Sequence, residues 1–291
     1  MIERIYIPTY RRVGKQLTYE NLLSHWQEKA VLVVCHDEYD ELSKDYECVV
    51  CPHQGKPPEN AEDPTYYGLS PTRKWIAEHA GKIKYAVFDD DICEFVYTRR
   101  PSEPESHEFT NTVFSMKNMK EGYEHVFDEM MVTIDKWLDE FATVGLEVTW
   151  NPPFDDDYKE CWRQTTNHFF NGALMPMNEL DFTSLRCAQD YYLLLQLLTK
   201  GYKNRVSMRY RVRPDLTQAP GGCEEYRTLE VHNNAMIQLR DAFPEFVKLK
   251  EKVAKSGEWG GKPKLAANIQ WKKAWKSSQE EKHATLQDLF G

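Results

Sequence analysis

The sequence predicts an α/β protein: a Rossmann-like, mostly parallel sheet with helices on both faces, followed by a helical, Lys-rich C-terminal extension. Three observations lead there. Short apolar runs rich in β-branched and aromatic residues (5–7, 31–34, 85–88) alternate with stretches of helical spacing through the N-terminal third. Each run is bounded by turn-forming or charged residues, as a buried strand is. Asp89-Asp90-Asp91 then stands at the tip of the last of these runs. In a doubly wound sheet the ligand crevice opens beyond that strand edge.

The elements follow in order. Residues 4–9 (RIYIPT) form a strand. After a polar turn, 17–28 has helical spacing through Leu22, Leu23 and Trp26, with Thr18 placed to cap it. Residues 30–35 (AVLVVC) make a second strand, 37–45 a short polar helix and 46–51 a third strand. A Pro-rich loop leads to a helix over 69–79, and the Asp-tipped strand comes next. Residues 98–119 lack periodicity and are expected to form a mobile loop or lid. A long amphipathic helix over 121–144 buries Val126, Met130, Ile134, Trp137, Leu138 and Phe141, and Gly145 ends it. Strands are expected over 146–150 and 168–175, and an apolar helix over 190–200. A strand over 204–213 sets Arg209, Arg211 and Arg213 on one face. The expected organisation is a domain over 1–245, with a nucleotide-binding half at 1–97 and an acceptor half at 98–245, and an extension over 246–291.

Composition narrows the function classes. The 291 residues carry a net charge of −9, so an anionic partner must meet a local basic patch. No apolar run approaches the ~20 residues of a membrane span, and no membrane association is expected. The N-terminus enters a strand directly, so no secretory leader is expected. Seven scattered cysteines suit a reducing cytoplasm better than a disulfide framework. Cys48, Cys51 and His53 fall short of the four ligands of structural zinc and read as ordinary thiols.

Three like charges at a strand tip repel one another. Either water solvates them in a turn, or a hard cation neutralises them; carboxylates suit Mg²⁺ or Mn²⁺ and leave positions for substrate phosphates. The position after several strand–helix units favours metal and diphosphate. Asp155-Asp156-Asp157, in a Pro-bounded loop with no strand leading in, reads as a solvated turn.

Five segments then resemble the TET-associated glycosyltransferase family: IPTYRR with LTYENL, GLSPTRKWIAEHA, YAVFDDDICEF, QDYYLLLQLLTKGY and APGGCEEYRT, in that order across 5–232. The resemblance implies a GT-A fold of the type phages encode. It implies transfer of a sugar from a nucleotide-sugar donor, a UDP-sugar in the first instance, to 5-hydroxymethylated pyrimidines of DNA such as 5-hydroxymethylcytosine, in the host cytoplasm. It places Mn²⁺ or Mg²⁺ on Asp89 and Asp91, with His232 as a late ligand. Donor contacts fall on Thr9, Tyr10, Arg11, Thr72, Arg73, Asp89, Asn171 and Gly172. The family pattern before the apolar helix is Glu-Asp, whereas this chain has Gln189-Asp190, so the general-base role rests on Asp190 alone. For the acceptor, the basic strand contributes Arg209, Arg211 and Arg213, and the Trp-interleaved 262–276 contributes Lys272 and Lys273. The latter segment equally suits an amphipathic helix that docks its Trp residues on the core. Transfer to a glycan, protein or small molecule is the alternative within the fold, and a non-catalytic binding module the alternative outside it.

Overall fold

The structure, a computed structural model, describes residues 1–55, 67–102, 111–113, 124–215, 221–222, 227–254 and 259–290. Its frame is a ten-stranded mixed sheet. The strands β1 (Arg4–Pro8), β2 (Ala30–Val34), β3 (Cys48–Val50) and β4 (Lys84–Phe88) lie in the order β3-β2-β1-β4, all parallel. This half is the expected βαβ frame. Beyond β4 the sheet runs on through β9 (Asn167–Asn171), β7 (Thr143–Val148), β10 (Asn204–Pro214), β5 (Ile92–Thr98) and β6 (Asn111–Val113), with β8 (Tyr158–Glu160) also on β10. There β9 is antiparallel to both β4 and β7, while β10 is parallel to β7 and antiparallel to β5.

The period-2 alternation of β1 feeds two cores. Ile5 and Ile7 join Ala86 and Phe88 against Phe127, Met130 and Ile134 of α5 (Glu124–Trp137). Tyr6 faces the other way, with Val31, Val33 and Val87, against Ile76 and Ala77 of α4 (Leu69–Ala80). Each such side chain contributes ~1.5–3 kcal/mol on full burial, so a strand buried on both faces has little room for polar residues. Helix α6 (Gln189–Thr199) is apolar nearly all round because it lies between two cores. Leu193 and Leu197 face the sheet; Leu194, Leu195 and Leu198 meet Leu239 of α7 (Leu229–Ala242) and Ala274 of α8 (Trp271–Phe290).

Several expectations are corrected. The single helix over 17–28 is two short ones, α1 (Leu17–Glu20) and α2 (Ser24–Gln27), and the next is α3 (His36–Leu42). The helix over 121–144 is shorter: α5 ends at Trp137, and 143–148 belongs to β7. Gly145 is therefore a mid-strand residue, required because a Cβ there would lie 2.6 Å from Gln164 Cγ. The segment after Phe246 is mixed, since the antiparallel hairpin β11 (Val247–Val253) and β12 (Pro263–Ile269) precedes α8. The expected lid falls largely outside the described residues; within them β5 runs to Thr98 and β6 pairs with it. Among the described residues no helix is long and apolar enough to cross a membrane.

Candidate active site

The Asp run is held from below by α1. Thr18 Oγ1 donates to the Asp89 carbonyl at 2.6 Å and accepts from the Ile92 amide at 2.9 Å. Asn21 Nδ2 donates to the Ile92 carbonyl at 3.2 Å, and the Asp89 amide donates to the Thr166 carbonyl at 2.8 Å. Thr18 is thus a clamp on the strand end rather than the expected helix cap. LTYEN is a bracket for the acidic turn.

So fixed, the three carboxylates have different surroundings. Asp90 is buried, accepts from Thr9 Oγ1 at 2.9 Å and lies 3.4 Å from the Arg12 guanidinium. Asp89 pairs with Arg73 at 3.0 Å. Asp91 lies 3.9 Å from Arg12 through one oxygen, while its other oxygen, Oδ1, is buried with no hydrogen-bond partner. Burial, with Asp89 and Asp90 adding repulsion, pushes the Asp91 carboxyl up to about 7. Burial raises Asp90 to about 6 against the pull of Arg12, and raises Asp89 against the pull of Arg73. An excess of buried negative charge remains beside an oxygen that lacks a partner. A hard divalent cation fits this donor set.

The acidic turn forms one wall of a narrow cleft of about 70 Å³, also lined by Pro8, Tyr10, Arg12, Gln54, Gly55, Gly68, Leu69 and Gly222. That is room for a few water molecules, the scale of a hydrated cation beside a phosphate. Here the Gly-Gly pair is explained. The Gly222 amide donates to the Tyr10 carbonyl at 2.8 Å, and Gly221, at φ +95°, approaches so closely that a Cβ would lie 2.8 Å from Arg12 Cγ. The start of α4 at Gly68–Leu69 turns its positive dipole end toward the same cleft.

Of the expected donor contacts, Tyr10 and Asp89 line this cleft, as does the expected metal ligand Asp91. Thr9 and Thr72 are buried behind its wall: Thr9 bonds Asp90, while Thr72 bonds Gln54 Oε1 at 2.9 Å and gives its amide to the Gly68 carbonyl. They shape the wall and do not face the cleft. Arg11 takes a left-handed φ of 55°, gives its amide to Glu38 and lies over the Tyr10 ring. Arg12, which reads in the sequence as part of a basic turn, is the cation nearest Asp90 and Asp91.

Asp190 completes the group. It is half-buried in the first turn of α6, accepting from the Tyr191 amide at 2.9 Å. Burial raises its carboxyl, Arg73 pulls it down and Asp89 pushes it up, so it shares one electrostatic neighbourhood with the Asp89–Arg73 pair. His168 belongs here too. It pairs with Val87 across β4 and β9, is 4% exposed, and its Nε2 has no hydrogen-bond partner. Burial, with Arg73 adding, lowers its pKa well below the usual imidazole range and keeps the ring neutral. His168 was missed because the strand reading gave β9 no direction.

That direction corrects two further residues. Being antiparallel, β9 carries Asn171 to the Lys84 end of β4, the edge opposite Asp89. Asn171 Nδ2 bonds the Leu138 carbonyl at 2.7 Å, and a Cβ on Gly172 would fall inside contact distance of the Gly81 carbonyl. Neither reaches the cleft. His232 bonds the Leu265 carbonyl at 2.9 Å and meets the Trp259 ring, away from Asp89 and Asp91. Among the described residues no group of three or more His, Cys, Asp or Glu side chains is arranged to hold a metal. Asp89 and Asp91 could therefore supply only part of a coordination shell, and substrate oxygens and water the rest.

The basic strand is corrected as well. Arg209 and Arg211 are 6% and 1% exposed. Arg209 bonds the carbonyls of Thr98, Phe154 and Asp156, and Arg211 those of Val148 and Asn151. They share the expected face, but the 148–157 loop covers it and its carbonyls take the guanidinium donors. Arg213 pairs with Glu94 at the surface. Lys272 and Lys273 are exposed on α8 while Trp271 and Trp275 pack inward, and Lys273 Nζ bonds the Glu245 carbonyl.

A sequence profile of the TET-associated glycosyltransferases matches residues 3–222. The chain belongs to the TET-associated glycosyltransferase family. It is similar to the β-glucosyl-HMC-α-glucosyl-transferases of Enterobacteria phages T2 and T6, at 22% identity with each, covering 82% of this chain and 80% of theirs. A mannosyltransferase from Pyrobaculum calidifontis, solved with GDP-mannose and Mn²⁺, aligns with a TM-score of 0.46 at 11% identity over 82% of this chain; the chain spans 63% of that protein's length. Most of the family's motif segments line or brace the cleft: Tyr10–Arg12, the α1 bracket, the start of α4, the acidic strand end and Gly221-Gly222.

Proposed function

We propose that this glycosyltransferase is metal-dependent and moves a sugar from a nucleotide-sugar donor, a UDP-sugar in the first instance, to a hydroxyl borne by a 5-hydroxymethylated pyrimidine of DNA. The observation that carries the reading is the Asp89–Arg73 pair, whose charges also act on Asp190, beside an Asp91 oxygen that lacks a partner. The acceptor class is supported by the phage relatives, whose names give a glucosylated hydroxymethylcytosine as their substrate.

Asp89 and Asp91 would hold Mn²⁺ or Mg²⁺, which when bound supplies Lewis-acid stabilisation of the charge that grows on the departing diphosphate. Arg73 balances Asp89, and Arg12 balances Asp90, so both guanidinium groups are already oriented toward the phosphate side. Tyr10 offers its ring to the donor base. Asp190 takes the proton from the acceptor hydroxyl; burial raises its pKa and makes it a stronger base than an ordinary carboxylate. Neutral His168 adds no charge against the cation. In this reading residues 1–97 hold the donor, 98–245 carry the acceptor side, and 246–291 buttress it. The working compartment is the cytoplasm of an infected host.

The test follows labelled sugar from donor into hydroxymethylated duplex DNA, with and without chelator. Incorporation that chelation stops and Mn²⁺ restores supports the reading. Incorporation that chelation leaves intact removes the metal from it.

A further inference from the structure

A second cavity, of about 430 Å³, opens beside the first turn of α6. Its walls carry Phe154, Trp162, Tyr191 and Trp271, with Arg163 and Asn268 at polar positions. Nothing in the donor chemistry uses it. Its framework is built around Glu147, a carboxylate only 3% exposed. Glu147 accepts from Trp162 Nε1 at 2.6 Å and from Asn151 Nδ2 at 2.8 Å, and lies 3.8 Å from the Arg163 guanidinium. All three partners line the cavity. Behind them Arg211 holds the carbonyls of Val148 and Asn151, and Arg209 that of Phe154. A buried carboxylate and two buried arginines thus fix one loop, and the product of that order is an aromatic wall.

The cavity adjoins the proposed chemistry. Tyr191 lines it and follows Asp190 in sequence; burial pushes the Tyr191 hydroxyl up to about 12, with Asp190 adding repulsion and Arg163 opposing. Asp190 thus feels the charges of the Asp89–Arg73 pair and directly precedes a wall residue of the aromatic cavity. Two cations pack on the aromatic wall, Lys159 also pairing with Asp156 at 3.7 Å. Lys159 Nζ lies 3.6 Å from the Phe154 ring centroid and 4.6 Å from that of Trp162, and Arg163 lies over Trp162. Aromatic surfaces with cations close by suit a planar base whose sugar carries phosphates, better than a neutral sugar ring alone.

We infer that this cavity receives the modified pyrimidine nucleotide of the acceptor, drawn out of the duplex stack, with its hydroxyl turned toward Asp190. The inference rests on the proposed function for the acceptor class and goes beyond it in naming the site and the extruded state. Base extrusion costs a few kcal/mol, which stacking in an aromatic pocket offsets. Glu147 acts as a positioning residue through Trp162 and Asn151.

The test uses duplex DNA with one 5-hydroxymethylated pyrimidine and a neighbouring 2-aminopurine, whose fluorescence rises when its stacking partner leaves. Adding the full chain should raise the signal on the modified duplex. Trp271→Leu and Asn268→Ala should each reduce that rise, and Trp271→Leu should raise the acceptor KM about ten- to a hundredfold, the size of one lost base–aromatic stack, with donor KM unchanged. Glu147→Gln, which keeps a hydrogen-bond acceptor, should raise acceptor KM less than Glu147→Ala. Transfer to DNA with no fluorescence change and a wild-type acceptor KM in both cavity variants would overturn the inference while leaving the proposed function standing. Donor hydrolysis without transfer to any modified DNA would overturn the proposed function itself.

Discussion

At the scale of single residues, the acidic turn makes opposite demands on folding and on chemistry. Asp91 is raised from 3.8 to about 7, so the metal-free native state holds a proton that the unfolded chain releases. The stability this contributes is full below about pH 4 and is lost as pH rises through about 7. Metal-free protein should therefore melt at a lower temperature at pH 7.5 than at pH 5.5, and Mn²⁺ should recover the loss at pH 7.5. Asp91→Asn should flatten this pH dependence, raise the metal-free melting temperature at pH 7.5 and abolish both the Mn²⁺ response and transfer. A variant that Mn²⁺ still stabilises like wild type would release Asp91 from the metal. Asp190→Asn keeps the shape of the side chain and removes the base. Its kcat should fall at least ~10²-fold with donor affinity held. Wild-type kcat with a lowered melting temperature would make Asp190 merely a support for the first turn of α6.

Elements decide which end of each strand meets the cleft. The acidic tip, the βαβ half and the apolar α6 were legible because each depends on local pattern: period-2 burial, turn punctuation, and carboxylates at a strand end. Strand direction in the second half was not legible. Nothing local in NHFFN says that β9 runs against β4, yet that reversal sets His168 beside Val87, near the acidic end of β4, and sends Asn171 and Gly172 to the far edge. Alternation put Arg209 and Arg211 on one face correctly, but could not show that a loop covers that face. The corrected geometry predicts that Gly172→Ala is a stability variant. Its Cβ meets the Gly81 carbonyl, so unfolding free energy should fall by ~1–3 kcal/mol, with kcat and donor KM of the folded fraction unchanged. A raised donor KM at unchanged stability would return Gly172 to the donor site.

Across the whole molecule, the proposed DNA acceptor would have to meet an acidic chain of net charge −9 through local positive patches. With Arg209 and Arg211 committed inside, exposed Lys272 and Lys273 on α8 and the half-buried Lys159 and Arg163 beside the aromatic cavity are among the candidates. Binding to duplex DNA should weaken with salt, and Lys272→Ala with Lys273→Ala should flatten the log–log slope by ~0.9 per lost phosphate contact. An unchanged slope would remove Lys272 and Lys273 from the DNA path. On the proposed function, donor and acceptor meet at Asp190. The most direct measurement is mass spectrometry of nucleosides from hydroxymethylated DNA incubated with the protein, Mn²⁺ and a panel of nucleotide sugars. One sugar's mass should be added to the modified pyrimidine nucleoside, absent with chelator and with Asp190→Asn. Donor turnover with every nucleoside left unmodified, or a mass gain that survives in Asp190→Asn, would contradict this reading.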